Sequence, residues 1–450
     1  MNIKCLLLSV LLCLAILPAS AQQSGSDQKV PVDPSLKIGK LPNGLTYYLK
    51  QNKKPENRLW LQLAINAGSM NENDSQQGLA HFMEHMCFNG TQTWKKNDMV
   101  SMLESMGVRF GDGLNAYTSY DETVYMLEIP TDNPENIEKG FQVMEEWAHL
   151  VALEDEEIEK ERGVILEERR LGLGADERLR QQYEPVILKG SRYADRFVIG
   201  KEEIIKSFLP DTLRSFYKTW YRPDNMAVIA VGTLDVQQME NLLQKHFSKI
   251  PKPSGPLNRE VYDVPGNKEP LVSIVTDKEY TDYNAVVYFK YPGYKIRTIG
   301  DYRKELIESL YCSMLNKRLA EIGMKPETPY VGASTHCGSF YSRQTNAFSI
   351  YINAKENKLA ESLSLAMTEN ERVRQFGFTQ TELDREKKAI LTNLESAVKE
   401  ADNVESSSWS SRCVNNFLDE SPLTSPDQEQ QMVAALLPDI TINDVNGISK

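Results

Sequence analysis

Histidine and cysteine are scarce in this 450-residue chain, five of the first and six of the second. Cys5 and Cys13 fall in an apolar N-terminal run, which leaves Cys87, Cys312, Cys337 and Cys413 scattered through the remainder. None belongs to a Cys-x-x-Cys pair or to a zinc-ribbon spacing, so a thiolate-built metal site of that kind is excluded. A disulfide among the four is compatible with an oxidising compartment, but the sequence does not pair them. His336 beside Cys337 is not a metal pair, because adjacent residues rarely converge on one ion. Positive charge is also short: 51 Lys and Arg stand against 63 Asp and Glu, a net charge of −12. That balance argues against a nucleic-acid partner or an anionic membrane surface. After the N-terminus no run is long and apolar enough to span a bilayer, so no membrane span is expected.

The N-terminus itself reads as a targeting segment. Met1-Asn2-Ile3-Lys4 is a short basic start, Cys5 to Leu17 is apolar, and Ala19-Ser20-Ala21 is a small-residue cleavage site. Residues 1–21 are therefore expected to be a signal peptide, and the mature, exported protein to begin near Gln22.

Two of the five histidines sit together in Gly78-Leu79-Ala80-His81-Phe82-Met83-Glu84-His85-Met86-Cys87-Phe88-Asn89-Gly90. The stretch predicts a helix of about three turns, with Asp74 or Ser75 as N-cap and Asn89-Gly90 as a left-handed stop. Residues four apart share a helix face, so His81 and His85 can both reach one zinc ion. Glu84 lies on the rim of that face, placed to take a proton from water without ligating. His-x-x-Glu-His is the inverted form of the thermolysin-type motif. Cys87 points away from this face and is expected to be a buried free thiol.

Two histidines leave a catalytic zinc one protein ligand short. A second helix, capped by Asp155 and running to about Leu171, carries Glu161, Glu167 and Glu168. Glu161 and Glu168 are seven apart and share a face, while Glu167 is rotated away. Glu168 is the candidate third ligand. Around these helices, residues 39–41 and 45–49 form a hairpin about Pro42-Asn43-Gly44, and 58–67 alternates as a half-buried strand. A helix is expected over 99–106, a strand over 123–129 and a helix over 134–151. The length predicts two or three domains.

The motif around His81 to His85, together with Asn115-Ala116-Tyr117-Thr118-Ser119, Glu161 to Glu168 and Tyr221-Arg222-Pro223-Asp224-Asn225-Met226, resembles the inverzincin peptidases of the pitrilysin and insulysin group, which includes the mitochondrial processing peptidase. The likeness extends over roughly Gly39 to Ile250 and, with the leader, is strongest to the exported bacterial zinc proteases of that group. It implies one zinc per chain held by His81, His85 and Glu168, Glu84 as general base, and Glu161 as the carboxylate orienting a histidine ligand. It implies that Asn115 and Ala116 lie on an edge strand along which a peptide is laid by strand addition. The implied fold is α+β, two homologous domains, each an antiparallel-rich β-sheet packed with helices. The implied location is the periplasm of a Gram-negative bacterium. The 83-residue separation of His85 and Glu168 is slightly long for the group and implies an insertion between them.

An internal repeat accompanies this. At an offset of about 225, Glu161 and Val164-Ile165-Leu166 lie over Glu386 and Ala389-Ile390-Leu391, and Thr123 to Ile129 over Phe348 to Ala354. The histidine helix lies over Leu306 to Leu310, and Glu168 over Asn393, so the second copy retains no ligand. The expected domains are 35–252, binding zinc, and 265–450, homologous and non-catalytic. At an offset of 229, Asp211 to Lys218 lies over Ile440 to Gly447, and the counterpart of the strand Met226 to Val231 would lie beyond Lys450. The expectation is the N-terminal half of a longer protease, whose chamber a C-terminal half or a partner chain closes. The expected function is a zinc metalloendopeptidase cutting extended peptides or small proteins. The alternative is a catalytically silent peptide-binding or assembly subunit, and the presence of His81, Glu84, His85 and Glu168 together favours the enzyme.

Overall fold

The computed structural model describes residues 25–449. The leader expected over 1–21 lies outside the described residues. In the first half of the chain come β1 (Leu36–Lys40), β2 (Thr46–Gln51), β3 (Arg58–Ile65), α1 (Leu79–Met86), α2 (Asp98–Ser105), β4 (Leu114–Thr118), β5 (Thr123–Pro130) and α3 (Pro134–His149). They are followed by α4 (Asp155–Gly172), α5 (Ala175–Ile187), α6 (Glu202–Ser207), α7 (Pro210–Trp220), β6 (Met226–Gly232) and α8 (Val236–Phe247). The second half contains β7 (Tyr283–Pro292), α9 (Ile299–Gly323), β8 (Tyr330–Phe340), β9 (Ser342–Ala354) and α10 (Leu359–Phe376). It ends with α11 (Gln380–Lys399), α12 (Ser406–Asp419), α13 (Pro426–Leu436) and α14 (Ile442–Gly447). The architecture is α+β. Among the described residues no helix is long and apolar enough to cross a membrane.

Six strands form the first sheet in the order β1-β2-β6-β3-β5-β4, antiparallel except for the β2–β6 pair. The expected hairpin joins β1 to β2, and Gly44 takes φ +103°, where a Cβ would also press to 3.0 Å from Asp224. In β3 the alternation works as the sequence suggests: Leu59, Leu61, Leu63 and Ile65 face the main core with Phe82, Met83, Phe141 and Trp147. Strand β6 is different. All seven of its residues are buried, because the sheet is covered on both faces at its centre.

The second cover comes from the other end of the chain. Helix α12 lays Trp409, Cys413 and Val414 against Tyr48, Ala64, Val124, Ala227, Ile229 and Val231. Ser410 Oγ donates to the buried Gln62 Oε1 at 2.7 Å, and Trp409 lies beneath Lys50 and Arg412. In return, the first half reaches onto the three-stranded second sheet, ordered β7-β9-β8. Leu188 and Tyr193, just after α5, pack with Phe340 and Ala347, and Tyr341 Oη donates to Glu184 of α5 at 2.9 Å. Arg343 of β9 crosses the seam to Glu122 at 2.6 Å and Asn66 Oδ1 at 2.7 Å. The repeat also holds at element level, since Phe348–Ala354 falls in β9, Leu306–Leu310 in α9 and Glu386 in α11.

The start of α1 departs from expectation. The helix has eight residues, two turns rather than three, and ends at Met86, before Asn89. Neither Asp74 nor Ser75 caps it. Gly78 stands at the N-cap in a left-handed conformation, φ +103°, with no side chain to offer. The buried Glu72 carboxyl group accepts instead from the Gly78 and Ala80 amides at the helix N-terminus, at 3.0 and 2.7 Å. Burial nevertheless raises the Glu72 carboxyl to about 8, against the lowering effect of those amides. The left-handed turn at Gly78 is pressed against Gly200, where a Cβ would come within 2.3 Å of the Gly78 Cα. The last departure is at α4, which begins at Asp155 with Glu154 flanking it, rather than Asp155 capping.

Truncating Trp409 to alanine should therefore weaken the first half of the chain as well as its own. The expected cost is about 3–5 kcal/mol in denaturant unfolding. Hydrogen exchange should rise in β6 and β3, and a cost under about 1 kcal/mol would mean α12 is not their cover.

Candidate active site

Helix α1 buries Leu79, Ala80, Phe82, Met83 and Met86 in the core, which turns His81 and His85 towards α4. Their rings meet edge to face with centroids 4.7 Å apart. Helix α4 is fixed in turn by the buried Arg162, whose guanidinium donates to the carbonyls of Ile205 and Phe208, both at 2.6 Å. This holds Glu161 and Glu168 against the imidazoles.

Glu168 faces both rings, Oε1 at 3.6 Å from His81 Nε2 and Oε2 at 3.3 Å from His85 Nε2. Donor atoms of His81, His85 and Glu168 all lie within 4.8 Å of one another, the one such cluster of three among the described residues. Ligands about 2.1 Å from a tetrahedral zinc stand roughly 3.4 Å from each other, and the two observed separations bracket that value. The donor set therefore fits zinc. Glu161 Oε1 takes His85 Nδ1 at 2.9 Å, while its Oε2 accepts from Asn89 Nδ2 at 2.6 Å. That arrangement fixes the tautomer and plane of His85 and leaves Nε2 for a ligand's role. His81 has no such support: its Nδ1 is buried without a hydrogen-bond partner. Glu167 is turned away to Arg170, as its position on the helix wheel requires.

The two imidazoles differ electrically. Burial, then the neighbouring His85, push His81 down to about 4, so it is neutral at pH 7, the form that binds metal. Burial lowers His85 too, but hydrogen bonds to Glu161 and Glu168 outweigh it and lift the ring to about 9. Burial also raises the Glu84 carboxyl. Its Oε2 accepts from Thr118 Oγ1 at 2.6 Å.

Thr118 ends β4, and β4 ends the sheet. Asn115 and Ala116 are paired only to Met126 and Tyr125 of β5, so β4 is an edge that runs up to Glu84, with the Ala116 N–H held by Asn115 Oδ1 at 2.9 Å. Thr118, Asn89 and Glu72 were not legible as site residues. Each acts through one or two hydrogen bonds that follow no spacing rule. In the second half the positions over the ligands are Leu306 and Leu310, buried in the core, and the exposed Asn393, which can hold no metal.

Two family models match the chain. The model of the insulinase peptidase family, M16, matches residues 47–173, and the model of the M16 inactive domain matches 207–390. A zinc protease described as PQQL-like from Arabidopsis thaliana is 33% identical over 413 residues, 92% of this chain. The crystal structure of the first half of the periplasmic protease PqqL from Escherichia coli is 32% identical, with a TM-score of 0.88 over 94% of this chain and 90% of that one. Against the whole of that PqqL the TM-score is 0.87, and 46% of it is covered. The chain spans less than half the length of the curated relatives it matches, 40% of the Arabidopsis protein and 44% of one from Escherichia coli. The chain belongs to the insulinase family of peptidases, M16.

Proposed function

We propose that this chain carries the catalytic site of a zinc metalloendopeptidase that acts on extended peptides or small proteins. The carrying observation is the convergence of His81, His85 and Glu168 on one point beside Glu84. A zinc ion held there supplies Lewis acidity and brings the pKa of water to about 7. Glu84 is the proton carrier: Thr118 fixes one carboxylate oxygen, which leaves Oε1 to accept a proton from water and return it to the leaving amine. Its raised pKa suits that exchange better than an ordinary glutamate's. Glu161 orients His85. The free edge of β4 at Asn115 and Ala116 takes the substrate as an added strand and delivers its backbone beside Glu84.

The chamber is completed by more protein than these residues, a C-terminal half or a partner chain. The fraction of its relatives that the chain spans supports this, as does the open edge of β7 with Val286, Tyr288 and Phe289 exposed. Export to the periplasm is supported by the leader pattern in residues 1–21 and by the periplasmic location of the Escherichia coli relative.

Elemental analysis of the full-length protein should find one zinc at this site, lost in both His81→Ala and Glu168→Ala. Full retention in Glu168→Ala would move the third ligand elsewhere, and absence of zinc from the parent would favour a silent peptide-binding subunit. Glu84→Gln should keep its zinc but cleave a quenched-fluorescence peptide about 10²–10⁴-fold more slowly. A parental rate in that variant would remove Glu84 as the base. Glu161→Ala should weaken zinc binding about 10–100-fold in a chelator competition, because His85 loses its orientation.

A further inference from the structure

Outside the zinc site, one pair of chemically reactive side chains is brought into contact. Cys312 Sγ on α9 and Cys337 Sγ on β8 lie 3.1 Å apart, across 25 positions of sequence. The other two thiols have no such neighbour. Cys87 is fully buried and donates to Tyr125 Oη at 3.2 Å, and Cys413 is buried on α12 against the first sheet. No third metal-binding group converges on the pair, since the one such cluster among the described residues is at His81. A shared metal is therefore not the chemistry of this site. The pair is also reachable: both cysteines line a cavity of about 470 Å³, together with Glu308, Ser309, His336 and Arg343.

The place in the fold gives the pair a purpose. In the repeat, α9 stands where α1 stands, and β8 where β4 stands, each at the far side of its sheet. The first half ties that helix to that strand with the Thr118–Glu84 hydrogen bond. In the second half α9 is tied to β8 by Asn316, which accepts from Thr335 N at 2.6 Å and donates to the Thr335 carbonyl at 3.0 Å, and the two sulfurs meet one helical turn away.

We propose that Cys312 and Cys337 form a disulfide that pins α9 to β8, made by exchange with a low-molecular-weight disulfide entering through the cavity. The exchange runs in two steps and starts at Cys312. Its thiolate attacks one sulfur of the external disulfide, the external S–S bond breaks, and one small thiolate leaves and takes up a proton. Cys337 then loses its proton and attacks Cys312 Sγ, releasing the second small thiol. Two protein thiols are oxidised, and one external disulfide is reduced to two thiols.

The test is equilibration of the full-length protein with cystamine, alkylation of the remaining thiols, and mass spectrometry of a non-reduced digest. A peptide pair linked through Cys312 and Cys337 is expected, with Cys87 and Cys413 alkylated only after unfolding. Oxidation should raise the midpoint of thermal unfolding by about 5–10 °C in the parent, and by nothing in Cys312→Ser or Cys337→Ser. Four alkylatable thiols after equilibration, or a link involving Cys87 or Cys413, would overturn the assignment. The digest of the parent decides this even if a variant does not fold.

Discussion

Two imidazoles one helical turn apart, buried between carboxylates, set the terms for the rest of this molecule. Left to themselves, neighbouring histidines in a low-dielectric site resist being charged together, and burial drives His81 to the neutral form. The carboxylates then have to come from another helix at the correct height. Glu161 and Glu168 do so because seven residues span almost two whole turns, and Arg162 pins α4 where both can reach. With Glu84 a third carboxylate faces the pair. Lys96 stands at the border of this carboxylate group, 4.0 Å from Glu161 and paired with Glu157 at 2.9 Å.

What could be read in the sequence was whatever obeys a period. The spacing of His81 and His85, the shared face of Glu161 and Glu168, the alternation in β3 and the Asn-Gly hairpin are all local geometry. The repeat was legible for the same reason, because it compares periods with periods. Side chains that act across the fold were not. Glu72 caps a helix from outside its first turn, so a search for Ser, Thr, Asp or Asn next to the helix selected Asp74 or Ser75 instead. Asn89 looked like a helix stop and Thr118 was given no role of its own, since one hydrogen bond leaves no pattern. The contact of Cys312 with Cys337 depends on how α9 crosses β8, which spacing does not encode.

The second half keeps the order of the elements around the candidate site but not the side chains that converge there. Where His81 and His85 look out at α4, Leu306 and Leu310 sink into the second core. There the helix is packed as ordinary apolar structure, and α9 runs to 25 residues where α1 has 8. The short α1 starts sharply because its direction matters. Glu72 and the Gly78–Gly200 contact fix where its first turn begins, and hence where both imidazoles point.

The exchange of cover between the halves limits how the molecule can move. Trp409 and its neighbours seal the back of the first sheet from the far end of the chain, while Tyr193 and Glu184 reach the other way. A hinge along this seam would expose the apolar layer around Trp409 and break the Ser410–Gln62 bond and the Arg343 crossing together. The two halves of the described segment therefore hold each other's shape, and loosening either one loosens the other.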